Sequence, residues 1–382
     1  MRHDFLWDAL DRVKYGSLTI IMPDRTQRTF KGSKKGYVAH LFIKDINCID
    51  YIITGGDVAF GETFIEDMWH TDNLPNLLCF FTQNSAELEY FFHARKLKAI
   101  SLFIGSLFKK NSKLGSKRNI QEHYDLGNDF YELWLDESMT YSSAYFHNKN
   151  FDLSRAQENK YQYILNKLVG ENILEIGCGW GGFAEQALNK NFDIKCLTIS
   201  ERQFQYAKKR LAKFGNKLSL CFQDYREEDG FYDNVVSIEM FEAVGTEYWD
   251  IYFNKIHKVL KHDGKALIQT ITIDEEVFEG YKKRVDFIQK YIFPGGVLPS
   301  KSRFRRLVAN HGFKISSELE FGHDYEKTLR IWLNNFDNKK SEILKLGYSE
   351  RFIRKWRFYL SYCIAGFSSQ RCDVVIFEIE KV

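Results

Sequence analysis

An α/β fold is predicted: a larger carboxyl-terminal domain built on a parallel sheet, preceded by a small α+β module. Three observations lead there. From about residue 120 short apolar runs alternate with helical spacings, the runs are near-continuously apolar as strands covered on both faces are, and 382 residues exceed one ordinary domain. Strands are expected at 172–176, 194–198, 217–222, 234–238, 265–272, 315–319 and 374–379. Between them apolar residues recur at intervals of three and four, which predicts helices near 182–190, 200–213, 248–260 and 301–311. Stretches 273–300 and 324–368 break the alternation and read as insertions that build a lid or substrate channel.

The first 108 residues read differently. Runs at 17–22, 27–30, 36–43 and 46–53 are rich in β-branched and aromatic residues and are broken by Pro23-Asp24 and Gly32-Ser33, so a small antiparallel sheet is expected. Helical spacing follows over 58–68, 77–82 and 86–108. The basic, glycine-containing stretch 109–119 is the expected linker, giving domains 1–108 and 120–382.

Composition narrows the function. Hydrophobic residues at 44% and aromatics at 16% describe a globular chain rich in rings. No run reaches the ~18 apolar residues of a membrane span and Met1 leads into no signal-type apolar core, so a cytoplasmic protein is expected. The seven cysteines are odd in number and never at CxxC spacing, which points to buried thiols rather than disulfides or zinc. A net charge of +3 is too small to argue for nucleic acid. Basic clusters at Lys109, Lys110, Lys113, Lys117 and Arg118, at Lys282, Lys283 and Arg284, and at Lys301, Arg303, Arg305 and Arg306 read as solvated linkers and helix faces, with docking on anionic lipid heads as the functional alternative.

The chemistry begins at Ile173–Phe183, ILEIGCGWGGF, an apolar strand running into glycines that open a helix. Gly177, Gly179 and Gly181 remove Cβ atoms that would keep a ligand off the backbone, and the helix presents free N–H groups and a positive dipole end. Dinucleotide enzymes use a related loop. Here the third glycine follows the second by two residues and Glu175 lies inside the strand, an arrangement of S-adenosylmethionine (SAM) methyltransferases; NAD binding and a plain structural turn are the alternatives. The expected fold class is therefore a Rossmann-like class I SAM methyltransferase domain. Thr198, Ser200 and Gln203 could hydrogen-bond a ribose, although Ser200 also suits a helix cap. Gln223, Asp224 and Tyr225 could hold an adenine by a polar edge and a ring face, or form an ordinary turn.

Taken together, ILEIGCGWGGF, LTIS with Gln203, QDYR, SIEMFEAVG (237–245), KYIFPGG (290–296), YDLGNDFY (124–131), MTYSSAYF (139–146) and GGDVAFGETFIEDMW (55–69) resemble the cyclopropane-fatty-acyl-phospholipid synthase family, which includes the mycolic acid cyclopropane synthases, over nearly the whole chain. The resemblance implies transfer of the SAM methyl to a cis double bond of an acyl chain in a membrane phospholipid. It further implies peripheral association with the inner membrane face, a lipid-engaging amino-terminal domain and a possible homodimer. Tyr141 and Ser142 would contact the amino-acid part of SAM. A bicarbonate ion would be held by Glu242, Tyr325 and the backbone of Ile271, with Ser143 where many members have cysteine and Gln269 where many have histidine. Cys363 falls at a cysteine often named catalytic in the family, although a small buried core residue is the simpler account. Glu242 could instead merely cap the helix near 248.

An alkene is a weak nucleophile whose attack on a sulfonium methyl leaves a carbocation. Anions and ring faces stabilise that charge, and a base must then take a proton. Loss from the transferred carbon closes a ring; loss from a neighbouring carbon leaves a methyl-branched alkene.

Overall fold

The computed structural model describes residues 2–88, 126–148 and 150–382. The expected linker 109–119, its basic residues and most of the helix expected over 86–108 lie outside the described residues. In chain order the elements are α1 (Arg2–Leu10), β1 (Tyr15–Ile21), β2 (Gln27–Lys31), β3 (Lys34–Ile43), α2 (Asn47–Ile65), β4 (Trp69–His70), α3 (Leu74–Gln83), α4 (Asn128–Glu132) and α5 (Leu153–Leu165). Then come β5 (Asn172–Ile176), α6 (Gly182–Asn189), β6 (Asp193–Thr198), α7 (Glu201–Leu211), β7 (Leu218–Phe222), β8 (Tyr232–Ile238), α8 (Trp249–Val259), β9 (Leu260–Ile273), α9 (Glu275–Tyr281) and α10 (Phe287–Tyr291). The chain ends with α11 (Lys301–Asn310), β10 (Phe313–Glu320), α12 (Gly322–Asn338), α13 (Lys340–Lys345), α14 (Glu350–Ser368) and β11 (Cys372–Lys381).

Two compact units form. One gathers residues 1–108, 280–292 and 329–371; the other holds 109–279, 293–328 and 372–382. Large parts of the two stretches that read as insertions thus belong with the amino-terminal residues. The reason is aromatic packing: Phe358 of α14 meets Phe60 and Phe64 of α2 and lies 4.6 Å from Phe287 of α10. Gly61 makes this approach feasible, because a Cβ there would come within 2.5 Å of the Phe287 ring.

The small sheet of the first unit has the order β2-β1-β3-β4. It is mixed rather than antiparallel, since β1 and β3 run parallel. Gly32 packs against the backbone of Lys14 and Tyr15 and carries the chain to the far edge of β1, so β2 and β3 never pair. The strand expected at 46–53 is instead the start of α2: Cys48, Ile49 and Ile52 are buried at helical spacing, and their β-branched character misleads.

The second unit carries a seven-stranded sheet among the described residues, in the order β10-β11-β9-β8-β5-β6-β7. All seven expected strands and the four expected helices are present. The sheet departs from a purely parallel one at β11, which runs antiparallel to both β9 and β10. Because β5 lies between β6 and β8, the chain leaves it toward opposite sides, and a crevice for ligands opens beyond the carboxyl ends of these strands.

Candidate active site

The glycine turn opens at that point. Gly177 and Cys178 donate their N–H groups to the carbonyl of Leu197 at the end of β6, which fastens the turn to the neighbouring strand. Gly177 is held at φ +83°, and a Cβ on it would come within 2.8 Å of Met240 Cγ, so the turn also abuts the segment after β8. At Gly179 a Cβ would meet nothing within 4 Å. Open space over a glycine, beside the start of α6, is what a bound cosubstrate requires. Trp180 donates to Asn128 at 2.8 Å and its ring lies 5.0 Å from that of Tyr131, tying the turn to the YDLGNDFY stretch.

Glu175 is buried in β5, where the Cys196 thiol donates to its carboxylate, and burial pushes its carboxyl up to about 8. Ser200 caps α7 by accepting from the Gln203 N–H, and Thr198 donates to the Gln203 side chain at 3.2 Å. These three residues form one buried knot at the end of β6. The Gln223 N–H bonds to the Thr198 carbonyl, which places the third strand end alongside. Asp224 binds Arg226 at 2.6 Å and caps the turn, while the Tyr225 ring packs 5.6 Å from Tyr252. Tyr141 packs against Tyr131 and Trp134. Ser142 is buried and accepts a 2.6 Å hydrogen bond from Lys160 Nζ.

Beyond β8 and β9 lies a second cluster, centred on a residue the motifs did not single out. Glu239 is half-buried, and its Oε1 accepts from the Ser143 N–H at 2.8 Å and from Gln269 Nε2 at 2.7 Å, while its Oε2 accepts from the Tyr325 hydroxyl at 2.6 Å. Ser143 contributes through its backbone; its own hydroxyl donates to the Ala144 carbonyl. Glu239 sits at φ +49°, rare for a residue with a side chain, and is fixed there by its N–H on the Gln269 carbonyl at 2.8 Å. Lys160, on the buried face of α5, reaches Ser142 Oγ and the Ser143 carbonyl and supplies positive charge facing Glu239. Burial raises the Glu239 carboxyl and lowers the Lys160 ammonium, and each charge partly restores the other.

Glu242 follows one turn later. Its Oε1 accepts from the Ile271 N–H at 2.5 Å and from the Thr270 hydroxyl at 3.0 Å, and its Oε2 is buried without a hydrogen-bond partner. Burial first, and the nearby Glu239 charge second, drive its carboxyl upward. It is not a cap: α8 begins at Trp249, after Tyr248, with no side-chain cap. Thus Ser143, Gln269, Ile271, Glu242 and Tyr325 are brought together. The first turns of α12 hold the assembly, through Asp324 on the Phe146 N–H at 2.8 Å and Thr328 on the Ala144 N–H at 3.1 Å. Cys363 belongs to α14 of the other unit and is half-buried.

The donors expected to hold bicarbonate are therefore taken by carboxylates of the chain. The atoms left over are Gln269 Oε1, an amide acceptor that offers an anion nothing, and Glu242 Oε2, on a carboxyl whose other oxygen already holds the Ile271 and Thr270 donors. The residues present do not fit a second anion. Three cations of the α11 cluster are paired: Lys301 with Asp373 and Glu320, Arg303 with Glu279, and Arg305 with Glu318. Among the described residues no helix is long and apolar enough to cross a membrane.

A sheet of this order with a glycine turn and a buried acid at the end of its central strand defines a SAM-dependent methyltransferase. The model of the mycolic acid cyclopropane synthetase family matches residues 111–377, and the chain belongs to that family. The tuberculostearic acid methyltransferase of Mycobacterium tuberculosis is 34% identical over 84% of this chain and 78% of its own. The cyclopropane-fatty-acyl-phospholipid synthase of Escherichia coli is 33% identical over 89% of this chain and 87% of its own. A mycolic acid cyclopropane synthase solved with SAH and CTAB superposes with a TM-score of 0.66 at 32% identity, covering 69% of this chain and 98% of that one. The protein is an enzyme of SAM-dependent cyclopropane or methyl transfer on lipids.

Proposed function

We propose that the protein adds the methyl carbon of SAM across the cis double bond of an unsaturated acyl chain in a membrane phospholipid and closes a cyclopropane ring. The observation that carries this reading is the pair of half-buried carboxyl groups, Glu239 and Glu242, on the segment that touches the glycine turn through Met240. A carbocation formed there is stabilised by the carboxylate of Glu239, whose ionised form Lys160 favours. SAM supplies the methyl and the leaving sulfur. The chain supplies the rest: the turn at 177–181 seats the donor, and the network of Glu239, Gln269 and Tyr325 holds a carboxylate beside it. Phospholipid as substrate is supported by the name of the Escherichia coli relative. Access to such chains requires work at a bilayer face.

A second reading, formation of a methyl-branched or methylene acyl chain, is favoured by the tuberculostearic relative and by Ser143 and Gln269 standing in place of the commoner cysteine and histidine. Incubation with trideuteromethyl SAM and unsaturated phospholipid vesicles separates the two. Ring closure gives a saturated product that retains two deuteriums. A product that keeps a carbon–carbon double bond, or three deuteriums, overturns the first reading.

A further inference from the structure

We propose that Glu239 supplies from the chain itself the anion for which the resemblance invokes bicarbonate, and that its carboxylate receives the proton released as the lipid product forms. The inference rests on the alkene alkylation proposed above. Four features carry it. The Ser143 N–H, Gln269 Nε2 and Tyr325 hydroxyl, all assigned by resemblance to a bound anion, converge on the two oxygens of this one side chain at 2.6–2.8 Å. The Ile271 N–H, the remaining backbone donor, is spent on Glu242. The charge of Lys160 is already opposed by Glu239, so a further anion beside the two carboxyl groups would go uncompensated. The backbone at Glu239 is kept at φ +49° by its bond to the Gln269 carbonyl, a conformation that directs a carboxylate into the cluster at a cost in strain.

The step balances. The π pair of the alkene forms a bond to the donated carbon while the carbon–sulfur bond breaks with its electron pair left on sulfur, so positive charge passes to an acyl carbon. A C–H bond of the added carbon then breaks, its pair closes the second carbon–carbon bond, and the proton goes to Glu239, which passes it to solvent between turnovers. Lys160 acts as a positioning residue that favours the ionised carboxylate.

The test uses the full-length protein with SAM and unsaturated phosphatidylglycerol vesicles in buffer stripped of bicarbonate. Wild-type turnover is expected to stay within twofold when bicarbonate is restored. Glu239→Gln, which keeps an acceptor for Tyr325 but cannot take a proton, is expected to lose about 100-fold or more in kcat while its SAM affinity by calorimetry stays within about threefold, a loss of the size a general base contributes. Glu239→Gly vacates the donors and is expected to regain at least tenfold when bicarbonate is added. Carbon-13 bicarbonate, followed by NMR, is expected to bind Glu239→Gly and not the wild type, and this arm needs no turnover. Failure of wild type to methylate any lipid would count against the functional reading, while the NMR arm still decides the replacement. Bicarbonate binding to wild type, bicarbonate-dependent wild-type turnover, or a Glu239→Gln variant as fast as wild type would overturn the proposal.

Discussion

The Tyr325 hydroxyl donates a 2.6 Å hydrogen bond to Oε2 of Glu239, joining the first turn of α12 to the residue that follows β8. Gln269, on β9, holds the other oxygen of the same carboxylate at 2.7 Å. Three elements distant in sequence therefore meet on one side chain, whose ring of donors sets both its orientation and its proton affinity.

Tyr325→Phe deletes one of these donors without opening a cavity. The Tyr325 bond lowers the carboxyl against the rise caused by burial, so its loss raises the proton affinity of Glu239. The variant is expected to lose about 1 kcal/mol of stability, since a half-buried acceptor goes short of one partner. The rising limb of its kcat–pH profile is expected at higher pH than in wild type. An unmoved limb would mean that the phenol does not govern the proton acceptor.

Lys160→Met replaces a buried ammonium by an apolar chain of similar length. The half-buried Glu239 then loses its facing cation and the Ser143 carbonyl its donor, and stability is expected to fall by about 1–3 kcal/mol. The rate should again rise at higher pH than in wild type, as loss of an opposite charge dictates. Urea unfolding and pH–rate profiles check both. Unchanged stability with an unchanged profile would remove Lys160 from the cluster.

How much of this was legible in the chain depends on what each signal encodes. β5, β6 and β8 announce themselves as apolar runs ending in polar or glycine residues, and the glycine turn is local, so sequence alone placed both. The direction of β11 was not legible: VVIFEI is buried on both faces, and such a run carries no mark of parallel or antiparallel pairing. Glu242 is legible through its motif, whereas Glu239, three residues earlier in the same SIEMFEAVG segment, is not, because its partners Ser143, Gln269 and Tyr325 come from remote parts of the chain. Lys160 was invisible for a related reason. A lysine in a helix reads as solvent-facing, and only the spacing of Ala156, Lys160 and Ile164 on the buried face of α5 betrays it.

Glu175 gives a pH dependence with a definite sign. Folded, it keeps its proton up to about pH 8, whereas the unfolded carboxyl releases it near 4.5, so between these values the folded state binds more protons. Its contribution to stability is complete below pH 4.5 and is lost as pH rises toward 8. Glu175→Gln cannot ionise, and between pH 5 and pH 8 its stability relative to wild type is expected to improve by at most about 4 kcal/mol. Urea unfolding at both pH values, without SAM, makes the comparison. Parallel pH curves for the two proteins would show that the carboxyl is already ionised in the folded state.

Two glycines of the turn should separate folding from binding. Both have positive φ, +83° at Gly177 and +53° at Gly179, so an alanine at either costs roughly 1–2 kcal/mol in backbone strain. At Gly177 the new methyl also meets Met240 Cγ at 2.8 Å and pushes on the residue next to Glu239, so Gly177→Ala is expected to be the less stable variant and to lose turnover as well. At Gly179 the methyl enters space where no protein atom lies within 4 Å. Gly179→Ala should therefore lose only the strain term in urea unfolding, yet weaken SAM binding at least tenfold in calorimetry, because the methyl occupies the volume left for the ligand. Wild-type SAM affinity in Gly179→Ala would show that the open face of the turn is not where the donor lies, and would move the donor site away from the carboxyl end of β5.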